Sequence, residues 1–296
     1  MMSGKGRISK KEDLLVGYLF ILPDTLGIFF FWILPMLYII YLSFFRWNLL
    51  NEPVFVGLQN FYRLLKDPIW WHSLGITLRY VLMYVPLSFF FSLFLAVNLQ
   101  KTFKGNKVLR TLFFAPYAIS LIVAGALWSY AFQPKFGFIN HLLTLLSLPP
   151  GGWLSSTKEA LGVIVFVSLW KYVGYYMILL IAGLEEIPQE YYESAKIDGA
   201  SWWHILVRIT LPILSPVILF VIVISVIHAF QTFDLVYIMT YGGPARATYI
   251  TMLYIYEVAF SFYDFGYAST LSIMFFLLIL LITLAQFRLG LFKKPS

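Results

Sequence analysis

The stretch that decides the fold is Glu193-Ser194-Ala195-Lys196-Ile197-Asp198-Gly199, followed ten residues after the glycine by Ile209-Thr210-Leu211-Pro212. Long apolar segments lie on both sides of it, so we interpret it as a loop between two membrane spans. The loop holds two carboxylates, small residues and a glycine at a fixed distance from a Leu-Pro pair. Such a loop beside the bilayer is suited to being held by another protein.

The composition indicates an integral membrane protein. Hydrophobic residues make up 60% of the 296 residues, charged residues only 12%, and the mean hydropathy is +0.82. Soluble domains are about 45–50% apolar and about 25% charged. The length accommodates about six spans of roughly 20 residues. The sequence has no cysteine, which excludes disulfides, thiolate catalysis and cysteine metal sites.

Six apolar segments are each long enough to cross a hydrocarbon layer of about 30 Å. The first is too long for one upright helix, and Pro23-Asp24 is predicted to divide it, with Pro35 as a further kink. The sequence therefore predicts an all-α membrane domain over residues 14–288, between tails at 1–13 and 289–296. The segments are 14–45, 74–99, 109–132, 160–184, 213–239 and 265–287.

Lysine and arginine residues predict the orientation of the spans. Thirteen lie in the two tails, the loop after the second span and the loop around Glu193, whereas six lie in the opposite loops. By the positive-inside rule, both termini and the Glu193 loop are predicted to be cytoplasmic. This placement also explains the net charge of +7 without nucleic-acid binding. The thirteen are Lys5, Arg7, Lys10, Lys11, Lys101, Lys104, Lys107, Arg110, Lys196, Arg208, Arg288, Lys293 and Lys294; the six are Arg46, Arg63, Lys66, Lys135, Lys158 and Arg246.

The loop at 185–212 is predicted to contain two short helices. Pro188 suits a first helical turn, and Gly199 permits a left-handed residue at the helix end. The second helix, from about Ser201, is predicted to stop at Leu211-Pro212 because proline interrupts it. The loop either grips a partner through its carboxylates and small residues or merely connects two spans. The predicted coupling residues are Glu193, Ser194, Ala195, Asp198 and Gly199.

Polar side chains at bilayer depth are costly, so they are predicted to face a bundle interior or a watery path. Ser225, His228 and Thr232 follow one another at i, i+3 and i+7 on one helix face. Aromatic rings stack on the apolar faces of sugars while hydroxyls, amides and imidazoles bind their hydroxyl groups. Hydrogen bonding between helices is the alternative. The candidate path residues are Tyr117, Lys171, Tyr172, Tyr175, Ser225, His228 and Thr232.

Lys171 poses a separate question because an unpaired ammonium in hydrocarbon is costly. It must meet a carbonyl, a carboxylate or water. An acidic sugar or a phosphorylated polyol would satisfy it, and so would a structural partner. Asp234 and Glu257 lie near the predicted outer boundary, where they fit either a docking contact or a hydrated surface.

The loop spacing resembles the EAA loop of permease subunits of binding-protein-dependent ABC importers. The matching pattern is Glu193-x-Ala195, three residues, Gly199, nine residues and Ile209-x-Leu211-Pro212. Ser194 replaces the first of the two usual alanines, a change between small residues. The wider chain is similar to the carbohydrate branch of that family, of the maltose and glycerol-3-phosphate type. The similar segments are 17–23, 42–44, 55–61, 182–184, 187–188, 233–234, 242–244 and 265–268.

The resemblance implies a type I ABC importer permease fold with six transmembrane helices and a cytoplasmic EAA coupling loop. It implies a heterodimer with a homologous second permease, two ATP-binding cassette subunits that hold ATP and Mg, and an extracytoplasmic solute-binding protein. The chain would form half of a path for a sugar or oligosaccharide, an acidic one among the alternatives, in the bacterial inner membrane. It would bind no cofactor itself.

Two other classes of function fit the sequence less well. A polytopic membrane enzyme would need clustered carboxylates for a metal ion or a paired nucleophile and base, whereas the four histidines are scattered. An ion-coupled secondary transporter would favour internal repeats, and no repeat of fixed period is found. The sequence also lacks a Gly-rich phosphate loop, so ATP hydrolysis would belong to a partner. The chain is therefore predicted not to be an enzyme.

Overall fold

The structure is a computed structural model that describes residues 10–100 and 103–288. The tail at 289–296 lies outside the described residues, as does the tail at 1–13 apart from the backbone of residues 10–13. Several of the basic residues used to predict the orientation also lie outside them: Lys5, Arg7, Lys101, Lys293 and Lys294.

The described chain is almost entirely helical. Its elements in order are α1 (Lys10–Ile28), α2 (Leu34–Leu42), β1 (Phe45–Arg46), β2 (Val54–Phe55), α3 (Gln59–Lys66), α4 (Pro68–Leu99), α5 (Asn106–Ala118), α6 (Leu121–Ala131), α7 (Phe138–Leu145), α8 (Ala160–Glu185), α9 (Gln189–Ile197), α10 (Trp202–Ile205), α11 (Leu211–Phe230), α12 (Asp234–Met239), α13 (Thr251–Tyr256) and α14 (Phe265–Arg288). Single π-helical turns occupy Phe29–Ile33, Leu206–Thr210 and Glu257–Ser261, and a 3₁₀ turn occupies Trp153–Ser155.

Five helical segments among the described residues are long and apolar enough to span a membrane. The pair α5 and α6 is a sixth candidate, although its two helices are bent by 98° at the break between them. The prediction of an all-α membrane protein is thus confirmed, with six spans if the bent pair counts as one. The five segments are Gly17–Leu42, Pro68–Leu99, Ala160–Glu185, Trp202–Phe230 and Phe265–Arg288.

The first span runs through Pro23 without interruption, so the predicted division at Pro23-Asp24 is wrong. A helix in lipid keeps its backbone hydrogen bonds within itself on both sides of a proline, because no water can replace them. The irregularity near Pro35 is a π turn at Phe29–Ile33 that ends two residues before the proline. The wider turn includes residue 31, whose carbonyl the Pro35 ring would otherwise meet.

The chain divides into two compact units. The first comprises the described residues up to Lys66 together with Val258–Met274. In it, β1 and β2 pair antiparallel with Phe45 opposite Phe55. The buried Asn60 amide donates hydrogen bonds of 2.9 Å to the carbonyl oxygens of Ser43 and Phe45. These bonds tie α3 to the segment that follows α2.

The second unit comprises Asp67–Glu257 and the chain from Phe275 onward. Its core lies where α8 packs against α4, α5 and α11. A Cβ atom at Gly174 of α8 would lie 1.9 Å from the carbonyl oxygen of Phe113 on α5, so these two backbones are in direct contact. Close approach through small residues is typical of membrane helices. The largest fully buried side chains in this core include Tyr80, Tyr84, Tyr176, Met177, Leu180 and Phe230.

The predicted boundaries of the second and fifth spans are wrong. The second span begins at Pro68, six residues before the predicted start, because the Asp67 carboxylate accepts hydrogen bonds from the backbone N–H groups of Ile69 and Trp70 and caps the helix. The fifth span was predicted to continue to residue 239, but its helix ends at Phe230 and the short α12 follows after a break.

Candidate functional site

The first half of the 185–212 loop is an ordered helix with an open glycine end. Pro188 directly precedes α9, and at the other end the N–H of Ala200 donates to the carbonyl of Ala195 at 2.9 Å. Gly199 has a φ of +76°, which few residues with a side chain adopt, and no atom lies within 4 Å of the position of a Cβ. The loop therefore turns sharply at an exposed and uncrowded glycine.

The predicted coupling residues occupy different faces of this turn. Ala195 is buried, whereas Glu193, Ser194 and Asp198 are exposed. The Glu193 carboxylate accepts a hydrogen bond of 2.8 Å from the Gln189 amide, and the Ser194 hydroxyl donates to the carbonyl of Glu190 at 2.8 Å. Ala195 thus lies on the buried face of α9, and both carboxylates stay exposed.

The second half of the loop contradicts the predicted helix end at Leu211-Pro212. The Ser201 hydroxyl accepts from the N–H of His204 and begins α10, which continues through the π turn into α11 without a break. Pro212 lies two residues after this π turn, the same spacing as at Pro35. Here too, the wider turn includes the residue whose carbonyl the proline ring would meet. The second half of the loop, from Trp202 onward, therefore forms one continuous helical segment with the fifth span.

Sequence reasoning missed the apolar surface of this loop. Ile197 is 86% exposed, and the neighbouring large side chains of Tyr191, Trp202 and Trp203 are also exposed. A groove of about 460 Å³ runs beside them, with Tyr192 and Trp202 in its lining. The Trp202-Trp203 pair, only three residues after Gly199 in a loop with several charged side chains, is the signal that could have indicated this surface.

Four of the candidate path residues lie together in the second unit. The Tyr117 and Tyr175 rings stack with centroids 4.5 Å apart, and Tyr117 meets the Tyr172 ring edge to face at 6.0 Å. The His228 ring lies 5.4 Å from the Tyr172 ring. Residues of three predicted spans thus form one aromatic cluster at the break between α5 and α6.

Three buried tyrosines join this cluster and were not predicted. The Tyr176 hydroxyl lies 3.0 Å from His228 Nδ1, and Tyr84 donates to the Tyr176 hydroxyl at 3.3 Å. Tyr80 donates to the Ser168 hydroxyl at 2.7 Å. Tyr80 and Tyr84 on α4 are four residues apart, as are Tyr172 and Tyr176 on α8, so each pair shares a helix face. This spacing does not say whether the face meets lipid or the core.

The polar stripe predicted on the fifth span divides into two parts. Ser225 is buried and donates to the carbonyl of Ile222 in its own helix at 2.8 Å. His228 and Thr232, by contrast, line a cavity of about 140 Å³ together with Tyr172. Thr232, two residues beyond the end of α11, also donates to the Tyr80 hydroxyl at 3.3 Å, which links this segment to α4. The other lining residues are Leu121, Gln231, Phe233, Asp234 and Leu235.

Lys171 is only 4% exposed, and its ammonium meets backbone carbonyls. It donates to the carbonyl oxygens of Pro116 at 3.3 Å and Tyr117 at 3.1 Å, and also to that of Ile119. A carbonyl, a carboxylate and water were the possible partners of this charge, and the structure shows backbone carbonyls.

Residues 88–290 match the family described as the binding-protein-dependent transport system inner membrane component. The chain belongs to this family. It is 34% identical over 96% of its length to the trehalose/maltose transport system permease protein MalF of Thermococcus litoralis, covering 97% of that relative. It is 38% identical over 95% of its length to the probable ABC transporter permease protein YesP of Bacillus subtilis, covering 92% of it.

A solved structure shows the same fold. It is the crystal structure of a bacterial alginate ABC transporter in complex with an alginate pentasaccharide-bound periplasmic protein, and one of its chains matches this permease with a TM-score of 0.84. The match covers 97% of each chain at 22% identity. The prediction of a multi-pass ABC transporter permease, rather than an enzyme, is confirmed by the family.

Two further polar sites of the permease lie outside the spans. Asn140 donates to the carbonyl of Gly151 and accepts from its N–H, each at 2.9 Å, and accepts from the Trp153 indole at 2.6 Å. Glu257 accepts a hydrogen bond from the Tyr249 hydroxyl, and burial together with this bond raises the pKa of Tyr249. Residues 10–100 and 103–288 contain no group of three or more His, Asp or Glu side chains that could hold a metal ion.

Proposed function

We propose that this permease forms half of the translocation path for a sugar or oligosaccharide and is driven by partner ATPase subunits through its 185–212 loop. A homologous second permease supplies the other half. Two ATP-binding cassette subunits hold ATP and Mg, and an extracytoplasmic solute-binding protein delivers the solute. The loop and both termini face the cytoplasm, in agreement with the distribution of lysine and arginine.

The observation that carries this proposal is the construction of the loop. α9 ends at an uncrowded left-handed Gly199, exposes two carboxylates, and is followed by a helix that continues into the fifth span. A partner that moves this loop therefore moves a transmembrane helix with it. Large apolar side chains beside charged ones are the usual anchors of a protein interface, and Ile197 and Trp203 provide them here.

The proposed solute class is supported by the aromatic cluster and by the relatives. The stacked Tyr117 and Tyr175 rings and the cavity lined by Tyr172, His228 and Thr232 combine aromatic faces with hydrogen-bonding groups, as sugar recognition requires. The relative from Thermococcus litoralis is named for trehalose and maltose. The periplasmic protein of the alginate transporter structure carries an alginate pentasaccharide.

Two substitutions in the loop test the coupling. Gly199→Asp forces a side chain into a left-handed conformation, and Glu193→Lys reverses an exposed charge. Both variants are expected to insert into the membrane normally, yet to retain less of the ATPase subunits in a pull-down of the solubilised complex.

Gly57→Asp is the matched control, because Gly57 also has a positive φ, of +58°, and open space around its Cβ position. It lies in a predicted outer loop, so its substitution introduces similar backbone strain and is expected to leave ATPase recovery unchanged. Full recovery of the ATPase by both loop variants, with full transport, would refute the coupling role.

A further inference from the structure

Lys171 lies at the point where the third span breaks. Its ammonium is on α8, and its three carbonyl partners belong to the end of α5 and to the first residue after it. The two helices of that span are bent by 98° between Ala118 and Leu121. The one buried lysine described in this unit thus lies at the 98° bend.

The end of an α-helix is an unfavourable structure inside a membrane. The last four carbonyls of a helix have no partner within it, and no water is available in hydrocarbon to replace that partner. A cation at this end interacts favourably with the partial negative charge of the helix C-terminus. A lysine ammonium has three hydrogen-bond donors and no acceptor, which matches the three carbonyls of Pro116, Tyr117 and Ile119.

The hydrogen bond from Lys171 to the Tyr117 carbonyl also connects this bend to the aromatic cluster. The carbonyl of Tyr117 accepts from Lys171 while its ring stacks on Tyr175, one helical turn further along α8. Gly174 lies between these two residues of α8 and touches the α5 backbone at Phe113. Without the ammonium, the Pro116 carbonyl would keep its bond from the N–H of Ile119 at 3.2 Å. The carbonyls of Tyr117 and Ile119 would lose the Lys171 donor, and the Tyr117 ring would move with the backbone that carries it.

We propose that Lys171 is a positioning residue that caps the broken end of α5 and thereby holds Tyr117 against Tyr175, and that it is not a ligand for an anionic solute. Its three donors are occupied within the permease, so none is free for a carboxylate or phosphate. The charged side chain that lines the neighbouring cavity is a carboxylate, Asp234, which would repel an anion. This inference deepens the proposed function and rests on it where transport is concerned.

The bend is tested by distance measurements that do not depend on any solute. The permease has no cysteine, so spin labels can be attached at Leu112→Cys on α5 and Leu127→Cys on α6, two exposed positions. The distance distribution is measured in the assembled transporter in nanodiscs, with reactive cysteines of the partner subunits replaced. Lys171→Arg is expected to keep the wild-type distribution, because it keeps the charge, whereas Lys171→Met shifts or broadens it. An unchanged distribution in Lys171→Met would overturn the proposal.

Transport separates positioning from anion binding. In proteoliposomes, Lys171→Met is expected to raise KM by about tenfold, equivalent to about 1.4 kcal/mol of lost binding, for a neutral disaccharide and for an acidic one alike. Lys171→Arg is expected to restore most of the affinity, and Tyr117→Ala to add little to the effect of Lys171→Met. Loss of the acidic solute alone would overturn the proposal in favour of an anion ligand.

Lys158→Met is the matched control, since Lys158 is an exposed lysine outside the helices and its substitution should change neither measurement. If the wild-type transporter moves neither disaccharide, the proposed solute class fails. The spin-label distances still decide the role of Lys171 in that case.

Discussion

At the scale of single residues, the aromatic rings of the cluster have separable roles. Tyr175 presents a ring that stacks on Tyr117, whereas Tyr176 presents a hydroxyl that hydrogen-bonds to His228. A sugar that enters this region would need the ring of Tyr175 more than its hydroxyl, because the apolar face of a pyranose packs on aromatic carbon.

Tyr175→Ala is therefore expected to raise KM for the transported sugar, while Tyr175→Phe keeps the ring and leaves KM close to the wild-type value. Initial uptake rates in proteoliposomes, measured over a range of sugar concentrations, distinguish the two variants. Tyr130→Ala removes an exposed tyrosine of α6 and serves as the control. Equal effects of the two Tyr175 variants would contradict a stacking role.

Residue types alone predicted much of this cluster, but they did not predict the tyrosines of α4. Tyr117, Tyr172, Tyr175, His228 and Thr232 attract notice because polar groups in apolar spans are costly. The hydroxyls of tyrosines on α4 were missed because a tyrosine in a span is equally compatible with lipid and with the core. Only the packing of α4 on α8 decides between them. The roles of the path residues in binding solute stay predictions.

At the scale of elements, the lengths of the apolar segments predicted the spans but not the irregularities within them. Pro35 was predicted to kink a helix and Pro212 to end one, and both lie two residues beyond a π turn in an otherwise continuous helix. A π turn inserts one residue, and nothing in the local sequence distinguishes it from a break. The 98° bend between α5 and α6 could not be predicted from the local sequence, because the Lys171 ammonium that meets the carbonyls at this bend belongs to another helix.

The contact between α5 and α8 gives a prediction about packing. Gly174→Ala places a Cβ atom 1.9 Å from the Phe113 carbonyl oxygen, so the two helices must separate. Overpacking of this kind costs about 1–3 kcal/mol, and the purified complex is expected to unfold at a lower temperature. Thermal unfolding followed by tryptophan fluorescence measures the change.

Gly162→Ala on the same helix is the matched control, because nothing lies within 4 Å of its Cβ position. Alanine is favoured over glycine within helices by about 0.5–1 kcal/mol, so this variant is expected to be neutral or slightly stabilising. Equal thermal stability of both glycine variants would show that α5 can move away from α8 without cost.

At the scale of the whole molecule, the described chain leaves large apolar surfaces uncovered. The first span is only 6% buried within the chain, so its side chains face lipid or other subunits. This is expected of a subunit that lies in a membrane and works in an assembly. The 185–212 loop differs, since its exposed Ile197, Trp202 and Trp203 belong to a segment that connects spans. Lipid or a neighbouring subunit covers the first surface, whereas the proposed coupling role assigns the second to an ATPase subunit.

The proposed orientation and assembly predict which side of the membrane each loop occupies. Because the permease has no cysteine, Ile197→Cys in the loop and Phe136→Cys between α6 and α7 each introduce a single reactive thiol at an exposed position. A membrane-impermeant maleimide should label Phe136→Cys in intact spheroplasts and Ile197→Cys only in inverted vesicles.

The same thiol tests the interface with the ATPase. Adding the ATPase subunits to inverted vesicles stripped of them should protect Ile197→Cys from labelling. Lys104→Cys, in another predicted cytoplasmic loop, should then be labelled faster than Ile197→Cys. Labelling of Ile197→Cys from outside would reverse the orientation, and undiminished labelling with the ATPase bound would remove Ile197 from the interface.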